Sequence, residues 1–260
     1  MEHYNGKTAL ITGASSGIGK ACAEILAKHK CNLILVARRR NRLAELRLSL
    51  EKAHGIDVTI ISQDISSIDG CRTLIDTIEN KSLTVDYLIN NAGFGYEGEF
   101  VFQDWEKVHQ MMRLNMDTIT FLSHYFGRKM ADVGSGGILL VSSVGGFIPC
   151  PGMGVYDAAK AYVLLYGEAL AFELKQKNVG VTILCPGATR TEFFDVSGQQ
   201  VNFLIKATSM KAESVAKAGL KGLTGRKLHV VPGITNKLTV WGLRFLPRFL
   251  MAPMAKLVMS

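Results

Sequence analysis

The chain has 260 residues, 48% of them hydrophobic and 20% charged, which is enough for one large α/β domain and too apolar for a disordered chain. Its formal charge of +8 is uneven: 22 basic and 22 acidic groups precede residue 214, and the eight charged residues after it, Lys217 to Lys256, are all basic. A surplus confined to the last 47 residues excludes a generally basic, nucleic-acid-binding surface.

Five scattered cysteines, Cys22, Cys31, Cys71, Cys150 and Cys185, include no C-x-x-C pair. That pattern fits neither a disulfide framework nor a zinc site, so no metal is expected. The chain enters a strand-like segment almost at once, with no basic-then-apolar leader, and a cytoplasmic location is the expectation.

Short apolar runs alternate with longer amphipathic stretches, the pattern of βαβ units in a parallel sheet. The expected strands are 8–11, 33–36, 58–61, 87–89, 138–141, 181–184 and 228–231. Helices are expected near 18–29, 40–54, 67–80, 104–131 and 155–177. Strands this uniformly apolar are covered on both faces. Right-handed crossovers then dictate a doubly wound, seven-stranded, Rossmann-like sheet in a single domain over residues 1–260.

After the first strand comes Thr12-Gly13-Ala14-Ser15-Ser16-Gly17-Ile18-Gly19-Lys20. Glycines there permit a tight turn and close backbone approach, and free N–H groups at the helix start attract a pyrophosphate. The second strand ends in Ala37-Arg38-Arg39-Arg40-Asn41-Arg42, where an NAD site usually places a carboxylate for the ribose. Guanidinium groups at this point suit a 2′-phosphate, so NADPH is expected over NADH, with Arg38 and Arg39 as its ligands. A solvated basic turn is the alternative.

Tyr156 and Lys160 lie four residues apart, on one helical face. A nearby ammonium lowers a phenol's pKa toward the range useful for acid–base catalysis. Ser143 ends the fifth strand, Asn90-Asn91-Ala92-Gly93 closes the fourth with small residues, and Asn115 falls inside the long helical stretch. Ser143 is favoured over Ser142 by its spacing to Tyr156. Asp157 is expected to face away from Tyr156 and leave the chemistry untouched.

Taken together, the T-G-x-x-x-G-I-G loop, the N-N-A-G run, Asn115, Ser143, Y-x-x-x-K and Pro186-Gly187-Ala188-Thr189-Arg190-Thr191 resemble the short-chain dehydrogenase/reductase family. The resemblance spans roughly residues 7–192, and within the family it looks like an NADP-preferring, carbonyl-reductase-like branch. It implies hydride transfer between NADP(H) and a carbonyl or secondary alcohol. Tyr156 would be the proton donor, Ser143 would hold the carbonyl oxygen, Lys160 would bind the nicotinamide ribose, and Asn115 would anchor a water linking Lys160 to solvent. Gly13, Ser15, Ser16, Gly17, Ile18 and Gly19 would line the pyrophosphate and ribose. Asp64 and Ile65 would border the adenine, Asn91, Ala92 and Gly93 would pack along the cofactor, and Pro186, Gly187, Thr189 and Thr191 would complete the site, Thr191 reaching the carboxamide. A homo-dimer or homo-tetramer is implied as well.

Residues 192–212 correspond to that family's variable substrate lid. Phe193, Phe194, Phe203, Leu204 and Ile205 suggest an apolar substrate or simply pack the lid down. The tail, 234–260, is basic and amphipathic and broken by Pro247 and Pro253. It could touch an anionic membrane surface peripherally, or cover the cleft or a subunit interface. Two other functions remain open: a 3-oxoacyl-thioester reductase of lipid metabolism, and a non-catalytic NADPH-sensing protein.

Overall fold

Side-chain alternation along the central strands explains their unbroken apolar sequence. In β1 (Thr8–Thr12) Ala9 and Ile11 enter one core and Leu10 the other. In β2 (Asn32–Ala37) Leu33 and Leu35 are separated in the same way from Ile34 and Val36. The first core is closed by α1 (Gly17–Lys28) and α2 (Arg40–His54). The second is closed by α3 (Ile68–Asn80). The computed structural model describes residues 1–199 and 207–259. Phe203, Leu204 and Ile205 of the expected lid therefore lie outside the described residues.

The remaining strands of the main sheet are β3 (Val58–Ser62), β4 (Tyr87–Asn90), β5 (Gly136–Val141) and β6 (Val179–Leu184), with one more near residue 229. Between β4 and β5 run α4 (Trp105–Met112), a π-helical turn (Arg113–Asp117) and α5 (Thr118–Val133). Helix α6 (Gly154–Lys175) joins β5 to β6. Beyond β6 come β7 (Thr189–Arg190), α7 (Phe193–Ser197), β8 (Met210–Lys211), α8 (Ala212–Thr224) and β9 (His229–Val230). Helix α8 completes the first core; α5 and α6 complete the second.

Seven parallel strands are ordered β3-β2-β1-β4-β5-β6-β9, the expected doubly wound sheet. The chain winds outward from β1 to β3, then returns beside β1 to build the other half. The crevice at the carboxyl ends of β1 and β4 is the reversal point where such sheets bind ligands.

Three details differ from expectation. The last strand is only His229–Val230, because Pro232 and Gly233 turn the chain into α9 (Ile234–Leu243). The short parallel pair β7–β8 stands outside the main sheet, a long-range pairing that local periodicity cannot announce. Pro253 does not break the tail: it lies within α10 (Arg248–Met259), in its second turn, where proline removes one backbone donor without ending the helix. No helix among the described residues is long and apolar enough to cross a membrane. Along the tail Ile234, Leu238, Trp241, Phe245 and Phe249 are exposed.

Candidate active site

A cavity of ≈ 600 Å³ opens at the reversal point. Its lining includes Gly13, Ser15, Ser16, Gly17, Ile18, Arg38, Arg39, Asp64, Ile65, Asn91, Ala92, Gly93, Ser143, Tyr156, Lys160, Pro186, Gly187, Thr189 and Thr191. Two of the expected site residues are placed elsewhere. Gly19 lies buried beneath the loop, and Asn115 is buried in the π-helical turn.

The phosphate loop is held from below. Thr12 Oγ1 accepts the backbone N–H groups of Asn91 and Ala92, both at 2.9 Å. Asn91 Nδ2 donates to Thr12 O at 2.9 Å, so the ends of β1 and β4 are tied side by side. Gly13 takes φ +67°, the left-handed region where a side chain is strained. Ser16 precedes α1 without a side-chain cap, leaving the first N–H groups of that helix available to an anion.

These residues fit a dinucleotide. A Cβ at Gly93 would come within 2.4 Å of Asn115 Oδ1 and 3.3 Å of Lys160 Nζ, so the floor admits no side chain there. Asn115 Nδ2 donates to Phe94 O at 2.8 Å and Met111 O at 3.0 Å, while its Oδ1 is buried with no partner among the described residues. The π-helical turn aims this amide inward, and such bulges often mark functional sites. Nothing in the sequence around Leu114-Asn115-Met116 reveals that turn.

Ser143 and Ser142 part company at the end of β5. Ser142 Oγ is buried and donates to Lys160 O at 2.8 Å, a structural bond to the backbone of α6. Ser143 Oγ accepts from Gly145 N at 3.0 Å and lines the cavity with the Tyr156 phenol, whose pKa it lowers. Lys160 Nζ donates to Val141 O at 3.0 Å and lies 5.5 Å from the centroid of the Tyr156 ring. Phe193, from α7, packs its ring 5.4 Å from that of Tyr156, closing the cavity with an apolar wall beside the phenol.

The electrostatics differ from the simple expectation of a phenol made acidic by its lysine. Burial raises the Tyr156 pKa above its ordinary value; the Ser143 hydrogen bond lowers it in part and the Asp157 carboxylate adds to the rise. Burial also lowers Lys160 to about 8. Desolvation penalises the charged form of each group and is the largest cause of both shifts.

Asp157 requires a correction. It does not face harmlessly away: it is buried, lines the cavity, and its Oδ2 accepts from Cys150 N at 2.9 Å. Adjacent positions on a helix diverge by about 100°, but the segment before α6 folds back over the helix start and meets the second face too. Burial pushes this carboxyl up to about 7, with the Cys150 backbone bond opposing the rise. The folded protein therefore holds a proton that the unfolded chain releases between about pH 4 and 7, and stability falls as pH rises through that window. Its slope is at most about 1.4 kcal/mol per pH unit. Asp157→Asn, whose amide oxygen can still accept from Cys150 N, should flatten that slope and be at least as stable as wild type at pH 8. Denaturant titrations at pH 5 and pH 8 check this; a variant weakened more at pH 8 than at pH 5 would contradict it.

A second feature is absent from the sequence pattern. Glu192, the residue before α7, forms ion pairs with Arg39, at 2.7 Å, and with Arg42. The expected carboxylate-free basic turn thus meets a carboxylate supplied from about 150 residues away.

A doubly wound sheet with a glycine-rich loop at its reversal point, facing a buried tyrosine and lysine with a half-buried serine, defines a dinucleotide-binding class of oxidoreductase fold. The model of the short chain dehydrogenase family matches residues 7–202, and the chain belongs to that family. It is an oxidoreductase of a family that binds NAD(P). It is 30% identical over 233 residues to a 7β-hydroxysteroid dehydrogenase of Clostridium sardiniense, covering 89% of this chain and 87% of the relative. A short-chain dehydrogenase from Sphingobium yanoikuyae in complex with NADPH superposes with a TM-score of 0.83 at 32% identity, covering 92% of this chain and 94% of the other. A family member from Burkholderia phymatum in complex with NAD also gives 0.83, at 25% identity, covering 93% and 94%.

Proposed function

We propose that the protein transfers a hydride between NADP(H) and the carbonyl or secondary alcohol of a bulky, apolar substrate, with Tyr156 as the acid/base. The observation that carries this reading is the convergence of Tyr156, Ser143 and Lys160 on one wall of a cavity whose floor is the glycine-rich loop. The nicotinamide, when bound, supplies or accepts the hydride. Ser143 Oγ holds the substrate oxygen by a hydrogen bond. Tyr156, protonated at neutral pH with its burial further favouring the neutral phenol, gives its proton to that oxygen during reduction, the protonation state an acid catalyst needs. The ammonium of Lys160 stabilises the phenolate left behind. The unpartnered Oδ1 of Asn115 flanks Gly93 on the same side as Lys160 Nζ, in keeping with a water-linked route for reprotonation. Phe193 beside the phenol and Met153 in the lining favour an apolar substrate, and the similarity to a hydroxysteroid dehydrogenase points the same way. A homo-oligomer and a peripheral membrane contact through the exposed tail belong to the same proposal.

The NADP preference rests on Arg38 and Arg39 at the cavity rim. Arg38 is exposed, and its guanidinium has no ion pair among the described residues, which leaves its donors for a 2′-phosphate. A charge-assisted bond of this kind is worth about 1.5–3 kcal/mol. Arg38→Asp should lower kcat/KM with NADPH by about tenfold to a hundredfold and leave NADH kinetics nearly unchanged, read by nicotinamide absorbance with a panel of bulky ketones. Equal use of the two cofactors by wild type, with no response in the variant, would overturn the preference. No turnover of any ketone or alcohol with either cofactor would overturn the reaction.

A further inference from the structure

The basic turn after β2 carries more cations than a single phosphate needs, and two of them are already occupied. Glu192 Oε2 accepts from Arg39 Nη1 at 2.7 Å, and Glu192 Oε1 accepts from Arg42 Nη1. The rest of the Arg39 guanidinium is spread over the phosphate loop: Nη2 donates to Ser15 Oγ at 3.0 Å and Ser16 Oγ at 2.9 Å, and Nε donates to Ser15 Oγ at 3.2 Å. A carboxylate in the cavity lining thus holds Arg39, which also lines the cavity and bonds the loop serines, and Arg42, which lies just outside that lining.

This cluster contributes little to stability. Each partner keeps between 36% and 48% of its side-chain surface in solvent, and ion pairs that exposed are weak. What it controls is which anion the arginines hold. The two guanidinium groups keep the Glu192 carboxyl ionised far below neutral pH, at about 2, Arg42 having the larger effect. The competing anion is therefore present throughout the physiological range.

We propose that Glu192 is a specificity-determining residue, an internal anion that competes with the 2′-phosphate of NADP for Arg39 and Arg42. The inference rests on the reading that this cavity takes a dinucleotide phosphorylated at the adenosine ribose. A phosphate dianion offers three acceptor oxygens and more charge than a carboxylate, so it displaces Glu192 from the fork. The exchange reduces the affinity by the strength of the broken ion pairs. An unphosphorylated adenosine ribose makes no such exchange and is indifferent to Glu192. The carboxylate thereby narrows the gap between the two cofactors without removing the arginines that create it.

The test uses two fragments, adenosine 2′,5′-bisphosphate and adenosine 5′-monophosphate, titrated calorimetrically into the full-length wild-type protein and Glu192→Gln at low ionic strength. The expected result is that the bisphosphate binds the variant about three- to fivefold more tightly than wild type, the range set by exposed ion pairs. The monophosphate should bind both proteins alike. Glu192→Ala repeats the measurement without an amide in the site, and thermal unfolding confirms that both variants are folded. If wild type does not prefer the bisphosphate, the NADP reading fails and this inference with it. If wild type prefers the bisphosphate but neither variant tightens it, or the variants weaken both fragments, the competitor role alone is overturned.

Discussion

Replacing Tyr156 by Phe should lower kcat about 10²–10⁴-fold, the range a positioned proton donor supplies, while the NADPH dissociation constant should stay within about twofold of wild type. The substitution is close to a pure deletion of one hydroxyl. The ring remains packed with Met111, Met153 and Phe193, so the wall of the cavity keeps its shape, and the glycine-rich loop is untouched. Ser143 cannot replace the lost donor. Its oxygen is fixed by the Gly145 N–H at 3.0 Å, and an aliphatic hydroxyl is too weak an acid to leave a stable anion. Lys160 cannot replace it either: its ammonium donates to Val141 O and stands over the ring. Steady-state turnover with a bulky ketone, set beside a fluorescence titration of NADPH, separates chemistry from binding. A variant keeping more than a tenth of wild-type kcat would remove Tyr156 from the acid/base role.

A single added methyl group at Gly19 should be nearly as damaging, by a different route. A Cβ there would fall 2.4 Å from Gly13 O and 2.6 Å from Asn91 Nδ2. Both contacts are with atoms that cannot retreat. Gly13 O belongs to the phosphate loop itself, and Asn91 Nδ2 is bonded to Thr12 O, tying β1 to β4. Gly19→Ala therefore forces α1 away from the loop and misaims the N–H groups that face the phosphates. Overpacking of this kind costs about 1–3 kcal/mol, and if that cost falls on the bound conformation the dinucleotide dissociation constant should rise by about five- to 150-fold, since backbone aim is what the site supplies. Ala21, two residues further on and in the first core, shows that α1 accommodates alanine where no loop presses on it. Unaltered NADPH binding in Gly19→Ala would show that the loop does not hold the phosphates.

Much of the site was legible because its chemistry imposes local requirements. The glycine loop needs residues without Cβ atoms, and Gly13 and Gly19 meet that need for two distinct reasons, a positive φ and a close approach. Tyr156 and Lys160 are placed on one face by helical periodicity alone, and the structure brings both into the cavity. The apolar strands were legible for a similar reason, since each is buried on both faces.

What escaped were interactions whose partners are distant in the chain or whose energetics depend on burial. Asp157 looked remote on a helical wheel, yet the segment around Cys150 reaches it. The phenol looked acidic beside its lysine, yet desolvation raises it. The π-helical turn that carries the buried Asn115 leaves no mark in the residues around it.

The amino-acid sequence by itself determined the sheet, the glycine-rich loop and the side chains that meet in the cavity, because each rests on propensities and spacings within some twenty residues. Only the tertiary structure decided how those groups are charged and which ion holds the basic turn. Water exclusion and the meeting of Glu192 with Arg39 and Arg42 arise when segments about 150 residues apart are packed together, and no local pattern encodes that distance.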